Sequence, residues 1–159
     1  MTPPLSLDFV TEKMKEYGMV EQVRGNRIRI TTTPDKVLNV IKCVLGPLGC
    51  DRLVTISTVD NGTTFGLIYH FIGAHRTVVS VAIEVPRENP EVISMSGTLP
   101  PAGIYERQIH DLFGIVFPGH PGLKKIILNE DWPANEFPLR KDWKKNPDRY
   151  YGGVKGWWS

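Results

Sequence analysis

The side chains able to do chemistry are few, and their spacing is poor for it. His110 and His120 stand ten positions apart with no third ligand at metal spacing, so structural or interfacial roles fit them better than ligation or proton carriage. Asp111 follows His110 directly; neighbours on a helix diverge, and the two make no acid–base dyad. Cys43 and Cys50 are the two cysteines. Their C-x6-C spacing matches neither a zinc knuckle nor an iron–sulfur ligand run, and Cys43 falls inside a helical pattern, where a small buried thiol is expected. His70 alternates with Ile68 and Ile72 and reads as a sheet-face residue. No Ser-His-Asp or Cys-His arrangement and no phosphate-cradling glycine loop is visible. The expectation is therefore no catalytic, cofactor-binding or metal site in this chain.

The densest group of charge is a different kind of feature. Glu106 and Asp111 flank Arg107, with Arg107 and Asp111 at i, i+4 on a short helix. On a surface such a pair contributes only about 0.3–0.5 kcal/mol; against a partner the charges must be matched or their desolvation opposes docking. Gly114 and Gly119 permit turns, while Pro118, Pro121 and Pro138 stiffen the chain beyond the helix and reduce the entropy lost on binding. Arg140-Lys141-Asp142 offers fork-like and point-charge contacts at a rim.

The elements that must position these residues are set by periodicity. Asp8 is placed to cap a first helix running to about Tyr17, with Val10, Met14 and Tyr17 on one face and Gly18 as its stop. Gly25-Asn26 marks a hairpin, with Ile28, Ile30 and Thr32 alternating against Arg27, Arg29 and Thr31. Thr33 and Pro34 open a second helix, on which Val37, Val40, Ile41 and Val44 form a buried stripe ended by Gly46-Pro47. Strand patterns over 53–59, 64–72 and 77–85 come after it, the first two joined by Asp60-Asn61-Gly62. Their connections are too short for parallel crossovers, so an antiparallel sheet with two helices on one face is expected, an α+β fold. A short helix over 105–113 comes next. Residues 1–85 read as the α+β core and 86–159 as motif helix plus extended arm, within one structural domain. The last 45 residues hold 5 of the 13 prolines and all 4 tryptophans, and a stretch so long without periodicity points to a partner-bound arm.

Bulk properties narrow the classes further. A net charge of +2 provides no global field for nucleic acid or an acidic membrane. The first residues lack a signal peptide's basic and apolar regions, and no window reaches the ~18 apolar residues of a spanning helix. Any membrane association is expected to run through partners. The tail from Trp143 through Lys144, Lys145, Arg149, Tyr150, Tyr151 and Lys155 to Trp157 and Trp158 interleaves basic and aromatic groups, as single-strand nucleic-acid platforms do. A free-standing binder of that kind is the alternative reading.

One run of motifs is more specific than any of these features. Tyr105-Glu106-Arg107-Gln108-Ile109-His110-Asp111-Leu112-Phe113-Gly114-Ile115 is followed by Phe117, Gly119-His120-Pro121, Leu123-Lys124-Lys125-Ile126, Asp131-Trp132 and Pro138-Leu139-Arg140-Lys141-Asp142. That order and spacing resembles the 30-kDa subunit family of respiratory complex I, whose relatives occur in membrane-bound energy-converting hydrogenases. Gln108, His110 and Gly122 depart from the family's common residues and bear on the branch. The resemblance implies a non-catalytic scaffold subunit of a complex I-like oxidoreductase. It would dock on a large hydrogenase-like subunit and a small iron–sulfur subunit, peripherally on the cytoplasmic side of the membrane. Iron–sulfur clusters, and nickel–iron in a hydrogenase branch, would lie in those partners and none in this chain. The residues expected to bind partners are Glu106, Arg107, Asp111, Phe113 and Gly114 around the helix; Gly119, His120 and Pro121 beyond it; and Asp131, Trp132, Pro138, Leu139, Arg140, Lys141 and Asp142 along the arm.

Overall fold

A computed structural model describes residues 3–149 and 151. The first helix, α1 (Leu7–Met14), is capped by Ser6, whose hydroxyl accepts from the Phe9 N–H at 3.3 Å; Asp8 sits in the first turn, where a carboxylate suits the helix dipole. Its buried residues are Val10 and Met14. Gly18 then lies against Thr31, and a Cβ there would overlap the Thr31 carbonyl oxygen, so close backbone approach explains the glycine.

Strands β1 (Met19–Arg24) and β2 (Arg27–Thr31) form the expected hairpin about Gly25-Asn26. The second helix, α2 (Val37–Leu45), buries Val37, Val40, Ile41 and Val44, as the periodicity predicts. The chain begins to coil earlier, at Thr33, whose carbonyl accepts from Val37 N–H at 3.1 Å. Next is a meander of β3 (Arg52–Asp60), β4 (Thr64–Ile72) and β5 (Val78–Pro86), antiparallel throughout.

The five-stranded sheet has the order β1-β2-β5-β4-β3, and here the all-antiparallel expectation needs correcting. β2 pairs with β5 in parallel, from Arg27 opposite Val78 to Thr31 opposite Ala82. Short connections forbid parallel pairing only between consecutive strands. β2 and β5 are not consecutive: α2 and the β3–β4 hairpin lie between them and supply the crossover. The fold class, α+β, is as expected.

Register puts the apolar residues in rows. Ile30, Val81, Tyr69 and Ile56 lie side by side across four strands, and Ile28, Val79 and Phe71 form a second row. These rows bury against Val10 and Met14 of α1, the stripe of α2, and Ala102, Ile109 and Phe113 of the last helix, α3 (Ala102–Phe113). All three helices therefore cover one face. The core also takes in Val92, Met95, Leu99, Ile115 and Phe117, so buried packing continues well past residue 85. The opposite face stays half-exposed, and His70 lies on it between Ser80 (2.9 Å) and Ser57 (3.1 Å). Burial, with Arg27 and Arg29 nearby, lowers its pKa. Among the described residues no helix is long and apolar enough to cross a membrane.

Candidate docking surface

Helix α3 ends at Gly114, which is left-handed (φ 72°) and donates its N–H to the His110 carbonyl. A side chain at Gly114 would collide with Phe137 and Arg140, so the arm passes directly over this turn. The His110 ring uses Nδ1–H to hold the Ile115 carbonyl at 2.9 Å, fixing the exit from the helix.

The charged residues of α3 point into the protein's own fold. Glu106 is fully buried and takes the Ser94 hydroxyl at 2.5 Å and the Met95 N–H at 2.6 Å. Burial raises its pKa despite those bonds and the nearby His120. His120 accepts from the Gly122 N–H at Nδ1 (3.0 Å) and lies 3.0 Å from the Gly103 carbonyl at Nε2, so Nε2 carries the proton and the ring is a spacer between α3 and the 119–122 turn. Gly119 in that turn has φ 87°, and Pro121 is exposed.

Arg107 and Asp111 are not an ion pair with one another. Arg107 donates to the carbonyls of Lys124 (3.0 Å) and Lys125 (2.9 Å). One oxygen of Asp111, a residue only 4% exposed, accepts the N–H groups of Ile126, Ile127 and Leu128 at 2.7, 2.8 and 3.1 Å. One helix thus grips a single loop through both polarities of its backbone. Lys125 closes the loop from inside, its ammonium donating to the carbonyls of Asn129, Glu130 and Trp132. Held this way, the loop turns Ile127 outward, 50% exposed, with Ile126 beside it.

A second knot fastens the arm. Asp60, buried at the end of β3, accepts from Gly62 N–H through one oxygen (2.8 Å) and from Arg87 (2.5 Å) and Lys141 N–H (2.9 Å) through the other. Arg87 also pairs with the exposed Asp142. Arg140 donates to the Phe113 carbonyl at 2.7 Å, and its guanidinium stacks 4.3 Å from the Phe137 ring and 5.2 Å from that of Phe65. Phe65 meets Phe113 edge-on at 6.0 Å. Leu139 N–H bonds the Leu112 carbonyl while its side chain stays 51% exposed; Pro138 beside it is half-buried.

Further along, Trp132, Trp143 and Tyr151 pack together with centroids 4.8–5.9 Å apart. Glu136 is their hub. Its carbonyl takes the Trp132 indole N–H (2.8 Å), and its carboxylate takes that of Trp143 (3.1 Å) and pairs with Arg149. Hydrogen bonding from Tyr151 leads these contacts in lowering the Glu136 pKa. Asp131 is exposed. Trp143 and Tyr151 thus turn toward one another and do not line an open stacking surface; Tyr150, Lys155, Trp157 and Trp158 lie outside the described residues.

Asp60 and Arg87 are among the residues sequence reasoning missed, with Ile127 and Glu136. Asp60-Asn61-Gly62 carries a turn signal, and that role is real, but the contact with Lys141 spans 81 positions and leaves no local trace.

The Asp60 knot has a pH signature. Burial opposes its ionisation, but the bonds from Arg87, Lys141 and Gly62 outweigh it and hold the carboxyl at about 2, against an ordinary 3.8. A depressed carboxyl stabilises the fold fully above its unfolded pKa and loses that contribution as pH falls through the folded one. The amount is about 2 kcal/mol. In urea melts, the gap between wild type and Asp60→Asn should narrow by about that much between pH 5 and pH 2. A constant gap would mean the carboxylate charge is not what holds the knot.

Among the described residues no group of three or more His, Cys, Asp or Glu side chains is placed to hold a metal. Cys50 is buried, its pKa pushed up to about 12 by burial and by Asp51.

Known proteins share both the sequence and the fold. The family model described as "Respiratory-chain NADH dehydrogenase, 30 Kd subunit" matches residues 30–149. The C subunit of the F(420)H(2) dehydrogenase of Methanosarcina mazei is 34% identical over 87% of this chain and 87% of its own length. The C subunit of the NADH-quinone oxidoreductase of Roseiflexus sp. is 42% identical over 58% of this chain, which spans about half (52%) of that relative. Among solved structures, a chain of the membrane-bound sulfane sulfur reductase, an archaeal respiratory membrane complex, superposes with TM-score 0.72 over 86% of this chain and 84% of its own, at 22% identity. A trypsin-resistant fragment (1-134) of Nqo5 gives TM-score 0.61 over 72% of this chain and 96% of its own, at 24% identity. With a sheet, motif helix and gripped loop in the order its sequence specifies, this chain belongs to the family of the 30-kDa subunit of respiratory-chain NADH dehydrogenase.

Proposed function

We propose that this chain is a scaffold subunit of a complex I-like respiratory oxidoreductase, doing no chemistry itself and bracing the subunits that do. The observation that carries the reading is the use made of the motif charges. Arg107 and Asp111 are committed to fixing an irregular loop that displays Ile126 and Ile127 to solvent. Ordering a loop and exposing large apolar side chains both cost free energy in an isolated protein. Both become favourable where a partner covers them, because a surface ordered in advance loses less entropy on docking.

On this reading the partners are a large hydrogenase-like subunit and a small iron–sulfur subunit, on the cytoplasmic side of the membrane. Iron–sulfur clusters, and nickel–iron in a hydrogenase branch, belong to those partners and none to this chain. Support comes from the family match and from relatives that are subunits of the F(420)H(2) dehydrogenase and NADH-quinone oxidoreductase kind.

The expected-partner residues fall into two groups. Glu106, Arg107, Asp111, Phe113, Gly114 and His120 act from inside, shaping the surface. Gly119, Pro121, Asp131, Trp132, Pro138, Leu139, Arg140, Lys141 and Asp142 lie along its rim with Ile126 and Ile127. Ile127→Asp should reduce recovery of the large subunit with the tagged chain at least tenfold, about 1.4 kcal/mol or more. The melting temperature of the free chain should stay within about 2 °C, because the side chain is half in water already. Recovery of the large subunit unchanged by the substitution would place the interface elsewhere.

A further inference from the structure

The geometry points to the outer edge of β3 as a strand-addition site, taking an extended, uncharged segment of a partner chain with one side chain seated between Ile56 and Leu139. This rests on the scaffold reading and names the surface and the kind of segment that reading leaves open.

A sheet edge is a row of unpaired N–H and C=O groups, and monomeric proteins blunt such edges with charge, proline, bulges or short length. The two edges of this sheet differ in that respect. β1 carries Glu21 and Arg24, and its register shifts between Gln22 and Arg24. β3 is nine residues long, and from Leu53 to Val59 it has no charge, no proline and no glycine, with five β-branched residues. One irregularity lies at Val54, whose carbonyl takes the Tyr105 hydroxyl at 2.9 Å. Beyond it, Ile56–Val59 runs in unbroken register with Tyr69–Gly66. Among the described residues the backbone of 55–59 hydrogen-bonds only within the sheet, to β4. Every second residue of an antiparallel edge points its N–H and C=O outward, so this stretch offers a ladder to an extended segment of about five residues.

Specificity in strand addition comes from pockets for alternate side chains, and one is present. A cleft of about 240 Å³ opens beside β3, lined by Ile56, Thr58, Gln108, Ile109, Leu112 and Leu139 among others. None of these is charged, which selects an uncharged side chain, and the buried Thr58 hydroxyl has no hydrogen-bond partner within the chain's described residues. Leu139 on its rim is 51% exposed, and on the strand itself Val54 and Val59 are each 48% exposed. A second copy of this chain is a poorer occupant. The Tyr105 contact sets α3 above this edge, and a two-fold mate would bring its own α3 into the same layer.

The test uses the full chain, tagged and expressed in a host making the whole complex, as wild type, as Val54→Lys/Val59→Lys and as Leu139→Asp. All three side chains are half in water, so each free variant should melt within a few degrees of wild type. Two quantities are read: recovery of the large hydrogenase-like subunit, identified by mass spectrometry, and hydrogen exchange of peptide 52–60 in the free chain and in the complex. The proposal expects at least tenfold slower exchange of this peptide in the wild-type complex, and at least tenfold lower recovery with each variant. Recovery unchanged, or exchange as fast in the complex as in the free chain, overturns the edge site and leaves the scaffold reading standing. Failure of wild type to recover any large subunit overturns both. A free chain that is dimeric as wild type and monomeric as Val54→Lys/Val59→Lys overturns the partner segment in favour of a second copy.

Discussion

Asp111→Ala should destabilise the protein by about 2–4 kcal/mol, lowering the melting temperature by roughly 5–15 °C at this size. A single carboxylate oxygen there receives three consecutive backbone N–H groups. Hydrogen bonds to a charged acceptor contribute about 1.5–3 kcal/mol each, more than neutral ones. Water can take over part of the role, because residues 126 and 127 are already exposed; that keeps the cost below the sum of three. The loss should be local as well as global. Amide exchange at 126–128 should rise well before that of β4 and β5, because Arg107 grips only the carbonyls of 124 and 125. Asp111→Asn keeps an acceptor oxygen but no charge, and should fall between the two. Unchanged melting and unchanged exchange in Asp111→Ala would mean that the loop is held by its lysine and apolar contacts alone.

Asp60→Ala should cost about 3–5 kcal/mol, the largest effect expected of any single polar substitution here. It removes the partner of a guanidinium whose side chain is only 17% exposed and leaves the N–H groups of Gly62 and Lys141 without their acceptor. Asp142→Ala is the informative contrast, since it takes away the other carboxylate on the same arginine. Asp142 is 75% exposed, so the cost should stay below about 1 kcal/mol. The two variants should also differ under limited proteolysis. Asp60→Ala should open the chain around 138–149, whereas Asp142→Ala should leave it resistant. Equal sensitivity in both would show that Asp142 holds the arm as firmly as Asp60 does.

Much of this fold is legible in local pattern, for a physical reason: where one face is buried, period decides which residues can be apolar. Phe65, Leu67, Tyr69 and Phe71, the α2 stripe, and Gly114 as a left-handed stop can all be read from spacing of two or of three and four. The parallel β2–β5 pair cannot, because pairing between distant strands leaves no periodic mark on either. The motif residues are visible as a set, but their direction is not. Glu106 looks like a surface charge and is fully buried; Arg107 and Asp111 look like an i, i+4 pair and instead grip backbone groups fifteen to eighteen positions away. Side chains that bond to main chain carry no sequence complement that could betray the contact. The aromatic cluster of the arm is a similar case: its members are conspicuous, and what orders them is a glutamate with no motif around it.

The parallel pair has a consequence for how the chain assembles. The β1–β2 hairpin leaves the ribosome early, yet the strand that must flank it, β5, emerges only after residues 32–77. Until then the inner edge of β2, which carries Ile28 and Ile30, has no ladder to join. The β3–β4–β5 meander is held by nearest-neighbour turns and can close by itself. Joining β2 to β5 requires closing a loop over the whole intervening segment, so contact order predicts that this pairing forms later than the nearest-neighbour ones. The sheet becomes continuous only when β5, its middle strand, joins the β1–β2 hairpin to the β3–β4 pair.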